Sequence, residues 1–191
     1  MVHIFGFLLC ICIALIAGFG ATWALIQDSH GFQQVKLNAW SLWIKAGSQN
    51  ADPYTKAIIA ISSEIPLQAA EGIELVATQD DDGNAFSPNC TYTLSGTLPV
   101  AQFWTLTAYT KNGQIAPNIA SRYSLTSAEI VRDETADFEV SIGASLQSGN
   151  WLPVAPLPYQ LILRLYDAST GTSRPELQAA IHLKIVKKSC P

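Results

Sequence analysis

Arg164 has the placement in this sequence that most needs a chemical explanation. It stands in Leu161-Ile-Leu-Arg-Leu-Tyr166, where alternation puts Leu161, Leu163 and Leu165 on one face of a strand and Ile162, Arg164 and Tyr166 on the other. A guanidinium between apolar neighbours calls for a carboxylate or carbonyl partner, with Glu71 and Glu129 as candidates, or else offers its planar fork to an anionic ligand. Tyr109 closes a second alternating run, with Phe103, Thr105, Thr107 and Tyr109 on one face and Trp104, Leu106 and Ala108 on the other. Arg122 is placed to finish a turn, with Tyr123 beside it as a core residue. Trp151, between Gly149-Asn150 and Pro153, either locks a loop against the domain or lines a cleft. Gathered in one concavity, Tyr109, Arg122, Trp151 and Arg164 make a recognition surface. Glu71 and Glu129 are the nominal candidates for acid-base chemistry on a lyase-like or carbohydrate substrate.

Other chemistries find little support. His3, His30 and His182 are the only histidines and lack zinc-ligand spacing, so neither a metal nor a cofactor is expected. Asp80-Asp81-Asp82-Gly83-Asn84 lacks the glycine offset and closing glutamate of a calcium loop and reads as a tight turn. There is no Gly-x-Ser-x-Gly elbow and no phosphate-cradling glycine loop. A net charge of -4 spread without long like-charge blocks argues against a nucleic-acid surface, and the one basic cluster, Lys184, Lys187 and Lys188, reads as a solvated strand end.

The elements that must position these side chains lie beyond an apolar amino-terminal segment. From Ile4 to Ile26 the chain carries no charged group, and Thr22 is its one hydroxyl. At 1.5 Å per residue this makes roughly 34 Å of helix, enough to cross a hydrocarbon core of about 30 Å. A retained transmembrane anchor over residues 1–26, embedded in the bilayer through 4–26, is expected. The alternative is a cleaved signal peptide, for which the run is long and no clean Ala-x-Ala site is present. The flanking charges, Asp28 and Lys36 on the far side, scarcely set the orientation. Cys10 and Cys12 lie within the span, leaving Cys90 and Cys190 as the pair in the soluble part. In an oxidising compartment that pair invites a disulfide, whereas in a cytosolic domain two such cysteines are more often unlinked.

Residues 27–36 read as a juxtamembrane linker and 37–191 as one domain. Leu37, Trp40, Leu42, Trp43 and Ile44 are compatible with a helix ending at Gly47. Asp52-Pro53 offers a cap and first position for a second helix, ended by Pro66. Beyond Glu71 the spacing turns to strands, at Ile73 to Thr78, Thr91 to Ser95, Phe103 to Thr110, Ser121 to Leu125, Phe138 to Ile142, Tyr159 to Tyr166 and Ile181 to Val186. Asn112-Gly113 supplies a hairpin signal. The expected fold is mainly β: an antiparallel β-sandwich or jelly-roll-like domain with short N-terminal helices, preceded by one transmembrane helix.

Cys90-Thr-Tyr-Thr-Leu-Ser-Gly96, Phe103-Trp-Thr-Leu-Thr-Ala-Tyr109, Asn118-Ile-Ala-Ser-Arg-Tyr123, Gly149-Asn-Trp-Leu-Pro153 and Leu163-Arg-Leu-Tyr166 together resemble the domain-of-unknown-function family 1214. Asp52-Pro53-Tyr54, Ala70-Glu71-Gly72, Asp82-Gly83 and Ser189-Cys190 extend the resemblance from about Trp40 to the C terminus. The resemblance implies a β-sandwich or jelly-roll envelope protein of the short, membrane-anchored alphaproteobacterial form. It also matches both Cys90 and Cys190, and it transfers no catalytic residue. The resulting expectation is a single-pass protein of the bacterial inner membrane with its domain in the periplasm, acting as a non-catalytic binding module for an envelope protein or a small anionic ligand. The alternatives are an envelope enzyme using Tyr, Arg and carboxylate chemistry, and a structural component of an envelope complex.

Overall fold

A computed structural model describes residues 2–27, 34–62, 67–68, 71–132, 137–168 and 173–190. Helix α1 covers Val2–Gln27 and is the one helix, among the described residues, long and apolar enough to cross a membrane, whether as an anchor or as a signal sequence. Most of the expected linker, and Pro66 as the stop of the second helix, lie outside the described residues.

The rest is mainly β, in two sheets that do not close into a barrel. The strands are β1 (Gln34–Leu37), β2 (Trp40–Trp43), β3 (Gly72–Ala77), β4 (Thr91–Thr97), β5 (Ala101–Thr110), β6 (Ser124–Thr126), β7 (Phe138–Gly143), β8 (Asn150–Pro153), β9 (Tyr159–Ala168) and β10 (His182–Ser189). Helix α2 (Pro53–Ser62) lies between β2 and β3, and α3 (Arg174–Ala180) between β9 and β10. The six-stranded sheet has the order β1-β2-β3-β9-β5-β6 and the four-stranded sheet β10-β4-β7-β8. Neighbours are antiparallel except β7 and β8, which run parallel.

Period-two alternation fills the space between the sheets. Leu75, Leu106, Leu161, Leu163 and Leu165 from one sheet and Leu94, Val140, Ile142, Leu152 and Ile185 from the other are all fully buried in one continuous core. Each such aliphatic side chain contributes roughly 1.5–3 kcal/mol on burial. Gly96 is required where β4 passes β10: its φ is 133°, and a Cβ there would meet the carbonyl oxygen of His182 at 1.9 Å.

Three features correct the expectations. The helix expected to end at Gly47 is instead the β1–β2 hairpin, in which Leu37 pairs with Trp40 across a turn at Asn38 and Ala39, with Asn38 at φ 54°. Val35, Leu37, Trp40 and Leu42 point inward, and the two-residue turn breaks the alternation into a spacing that mimics a helix. Strand β8 forms where the sequence reads as a loop, and its Pro153 is tolerated because β8 is an edge strand. Helix α3 begins with a capping box, in which the side chains of Ser173 and Glu176 meet and Ser173 N–H donates to Glu176. Asp52 caps α2 as expected, its Oδ1 accepting from Tyr54 N–H and Thr55 N–H at 3.0 Å each.

The acidic run is a turn that joins the sheets. Asp81 Oδ1 accepts from Ala39 N–H at 3.2 Å and its Oδ2 from Ile185 N–H at 3.3 Å, so one carboxylate links the β1–β2 hairpin to β10. Cys90 and Cys190 form a disulfide across a sequence separation of 100, with Cα atoms 4.2 Å apart. The bond fixes the end of β10 to the start of β4, while Cys10 and Cys12 are free and lie in α1.

Candidate functional site

The outward face of the six-stranded sheet is built from the residues that alternate with the core leucines. In register, Glu74 of β3 and Thr105 of β5 flank Arg164 of β9. Arg164 Nε donates to Glu74 Oε2 at 2.6 Å, and Arg164 Nη1 donates to the Tyr109 hydroxyl at 3.0 Å. The guanidinium carbon also lies 5.6 Å from the Tyr109 ring centroid, within cation–π range. Burial opposes the arginine's charge, but the Tyr109 hydrogen bond and the Glu74 carboxylate outweigh it and raise its pKa further. Side-chain exposures of 22% for Arg164 and 15% for Glu74 place the pair between a surface and an interior salt bridge.

The strand pattern calls for a carboxylate or carbonyl partner for Arg164, with Glu71 or Glu129 as the expected carboxylates; the partner is a carboxylate, but it is that of Glu74. The signal was available: Ile73, Leu75 and Ala77 alternate inward, which turns Glu74 to the same face as Arg164. What the spacing does not disclose is that β3 lies beside β9. Glu71 is exposed, and its carbonyl accepts from Asp167 N–H. Glu129 is exposed, and its Oε2 accepts from the Thr126 hydroxyl at 3.2 Å. They flank strands β3 and β6, three intervals apart in the sheet, which is about 14 Å at ordinary strand spacing.

The other two candidates meet each other at the edge where β6 and β8 approach. Trp151 is buried, and its indole N–H donates to the Gly143 carbonyl at 3.0 Å. Arg122 is exposed, and its Nη1 lies 3.5 Å from the Trp151 carbonyl. The loop before β6 is closed by Asn118, whose Oδ1 accepts from Ala120 N–H and Arg122 N–H at 3.1 Å each, and whose Nδ2 donates to the Arg122 carbonyl at 2.9 Å. That staple holds Ile119 outward at 87% exposure. Tyr123, expected in the core, is 46% exposed because β6 begins only at Ser124 and fixes the facing of the residues after it. Tyr109 with Arg164, and Arg122 with Trp151, are thus two separate contacts.

The described residues hold no group of three or more His, Cys, Asp or Glu side chains arranged for a metal ion. Tyr159 lies in the core with its phenol pushed above the ordinary range by burial and by Tyr92, and its ring stacks on Phe86 at 5.2 Å.

The chain belongs to the DUF1214 family, described as proteins of unknown function, with residues 71–170 matched. Two solved structures share the fold. The VPA0106 protein from Vibrio parahaemolyticus is 18% identical with a TM-score of 0.62, and the match covers 91% of this chain and 43% of that one. An uncharacterized protein from Burkholderia cenocepacia is 14% identical with a TM-score of 0.51, covering 92% of this chain and 42% of that one. The chain therefore spans less than half the length of either structural relative. None of the curated proteins matches it.

Proposed function

We propose that this is a single-pass envelope protein, with α1 retained in the inner membrane and the sandwich on the periplasmic side, and that the domain is a non-catalytic module for binding a protein partner. The disulfide carries the compartment: the chain's thiols divide into an oxidised pair in the domain and two free cysteines in α1, the pattern expected when only the domain meets an oxidising solution.

The binding role is supported by the Asn118-stapled loop. It presents Ile119 and Tyr123 beside Arg122 on a hydrogen-bonded frame, so little ordering entropy is lost on association, and aromatic and arginine side chains are the types enriched in interfaces. Arg164, with its charge matched by Glu74, supports a positioning role more than an electrophilic one.

Protease added to spheroplasts tests the orientation. Digestion of the domain with the inner membrane intact is expected, and protection until that membrane is opened overturns the periplasmic placement. A photocrosslinking residue at Ile119 tests the surface. A discrete adduct is expected there and none from Val186, which is 53% exposed on β10. Equal yields from both positions overturn the partner surface and leave the compartment standing.

A further inference from the structure

We propose that the strand end nearest α1 rests on the bilayer surface that α1 enters, through an apolar rim of Val100, Val131, Ile61, Phe103 and Tyr166. The inference deepens the reading of α1 as a retained anchor and rests on it.

The topology gathers these residues at one end of the sandwich. Val100 directly precedes β5 and is 79% exposed. Val131 is 71% exposed and is clamped beside the start of β8, its N–H donating to Asn150 Oδ1 at 2.8 Å and its carbonyl accepting from Asn150 Nδ2 at 2.7 Å. Phe103 and Tyr166 pair across β5 and β9 near the same end, with ring centroids 6.2 Å apart. Ile61 projects from α2, which joins β2 to the start of β3 at this end and comes beside α1.

Chain length ties this end to the membrane. Gln34 is level with Trp43 and, through the β2–β3 pairing, with Glu74, so β1 begins at this end, about 7 Å short of Gly72. The seven steps from Gln27 to Gln34 reach at most about 24 Å when fully extended. A domain tethered that closely turns this end to the headgroups.

Aliphatic side chains exposed at such a distance lose unfavourable water contact by entering the interface, and paired aromatic rings suit its depth. Glu71 and Asp167 lie close to the rim, at Gly72 and Tyr166, so the contact is a touch at headgroup level rather than immersion. The Ile119 loop leaves and rejoins the sheet beside Ala108 and Thr107, roughly 24 Å along β5 from Val100, beyond the reach of a contact at the rim.

The test uses the full chain with Cys10→Ser and Cys12→Ser, so that a single added cysteine at Val100, Val131 or Ile119 takes an environment-sensitive fluorophore while the disulfide stays closed. In phosphatidylcholine vesicles containing spin-labelled lipid, emission at positions 100 and 131 should be quenched by on the order of twofold or more, and at position 119 scarcely at all. Equal quenching at all three sites in vesicle-retained, intact protein overturns the docking and leaves the anchor reading in place. Loss of the amino-terminal segment, or release of the chain by alkaline carbonate, overturns both. Circular dichroism of each variant confirms the fold, since all three positions are exposed.

Discussion

The two sheets of this sandwich are fastened by different chemistry. The four-stranded sheet has its outer strand, β10, tied covalently to β4 through Cys90 and Cys190. The six-stranded sheet is cross-braced on its outward face by Arg164, which joins β9 to Glu74 on β3 and to Tyr109 on β5. A covalent tie stabilises mainly by restricting the unfolded chain and does not depend on charge. An ion pair acts in the folded state, costs desolvation, and leaves a stranded charge when one partner is removed. One sheet should therefore respond to redox conditions and the other to charge.

Breaking the disulfide should have the largest effect. For a closed loop of this length the chain-entropy estimate is about 4–5 kcal/mol, and measured losses for native disulfides run at about 2–5 kcal/mol. Reduction, Cys90→Ser and Cys190→Ser should each lower the unfolding free energy by an amount in that range. Cys90→Ser should cost somewhat more than Cys190→Ser because Cys90 is buried and Cys190 is exposed. Chemical denaturation with and without reductant measures it, and unlinked peptides from protein isolated under alkylating conditions would remove the premise.

Arg164→Ala should have the next largest effect, at about 1–3 kcal/mol. This is less than a fully interior pair would lose, because solvent reaches both partners. Arg164→Lys should recover part of the loss but not all: a lysine keeps the charge near Glu74 without the planar fork that serves Glu74 and Tyr109 together. The double variant Arg164→Ala with Glu74→Gln should be more stable than Arg164→Ala alone, since it removes the stranded carboxylate. A double-mutant cycle reads the coupling directly.

Asp81→Ala should cost about 1 kcal/mol, since the backbone N–H groups of the buried Ala39 and Ile185 lose a charged acceptor that water, which reaches the exposed Asp81, replaces only in part. Because this carboxylate spans the β1–β2 hairpin and β10, amide exchange should rise in both sheets at Ala39 and Ile185. Exchange confined to one sheet would show that the two fastenings act independently.

How far the sequence discloses this arrangement depends on the range of each interaction. Alternation in Ile73 to Thr78, Phe103 to Thr110 and Tyr159 to Tyr166 is local, and it gives β3, β5 and β9 with the correct inward leucines. Asp52-Pro53 is equally local and gives the start of α2. The β1–β2 hairpin is misread because a two-residue turn shifts the phase of the hydrophobic pattern. Strand β8 has no recognisable pattern of its own, since a four-residue parallel edge strand is defined by its neighbour β7. The Ser173–Glu176 capping box is an equally local signal, yet α3 is not among the expected elements. The partnership of Arg164 with Glu74 depends on β3 lying beside β9, a contact between residues 90 positions apart that no local spacing encodes.

Asp52 offers the smallest effect and a pH signature for the six-stranded side alone, where α2 links β2 to β3. Its pKa is held below the ordinary carboxylate value, first by the Thr55 side-chain hydroxyl, then by the Thr55 N–H, with a lesser part from the Tyr54 N–H. Because the folded pKa is the lower one, the cap's contribution is fully present above the unfolded value of about 3.9 and disappears as the pH falls through the depressed folded value. Asp52→Ala should therefore be less stable than the parent by about 1 kcal/mol at neutral pH. That gap should hold down to about pH 5 and narrow below about pH 4 as the parent's carboxylate protonates. Asp52→Asn keeps a capping oxygen without the charge, so it should lie close to the parent at neutral pH and lose less of its stability at the acidic end. Denaturant midpoints of the three proteins at pH 7, 5 and 3.5, with the disulfide intact, read the difference. A parent-to-alanine gap that is unchanged at pH 3.5 would mean that the carboxylate's charge contributes nothing to the cap.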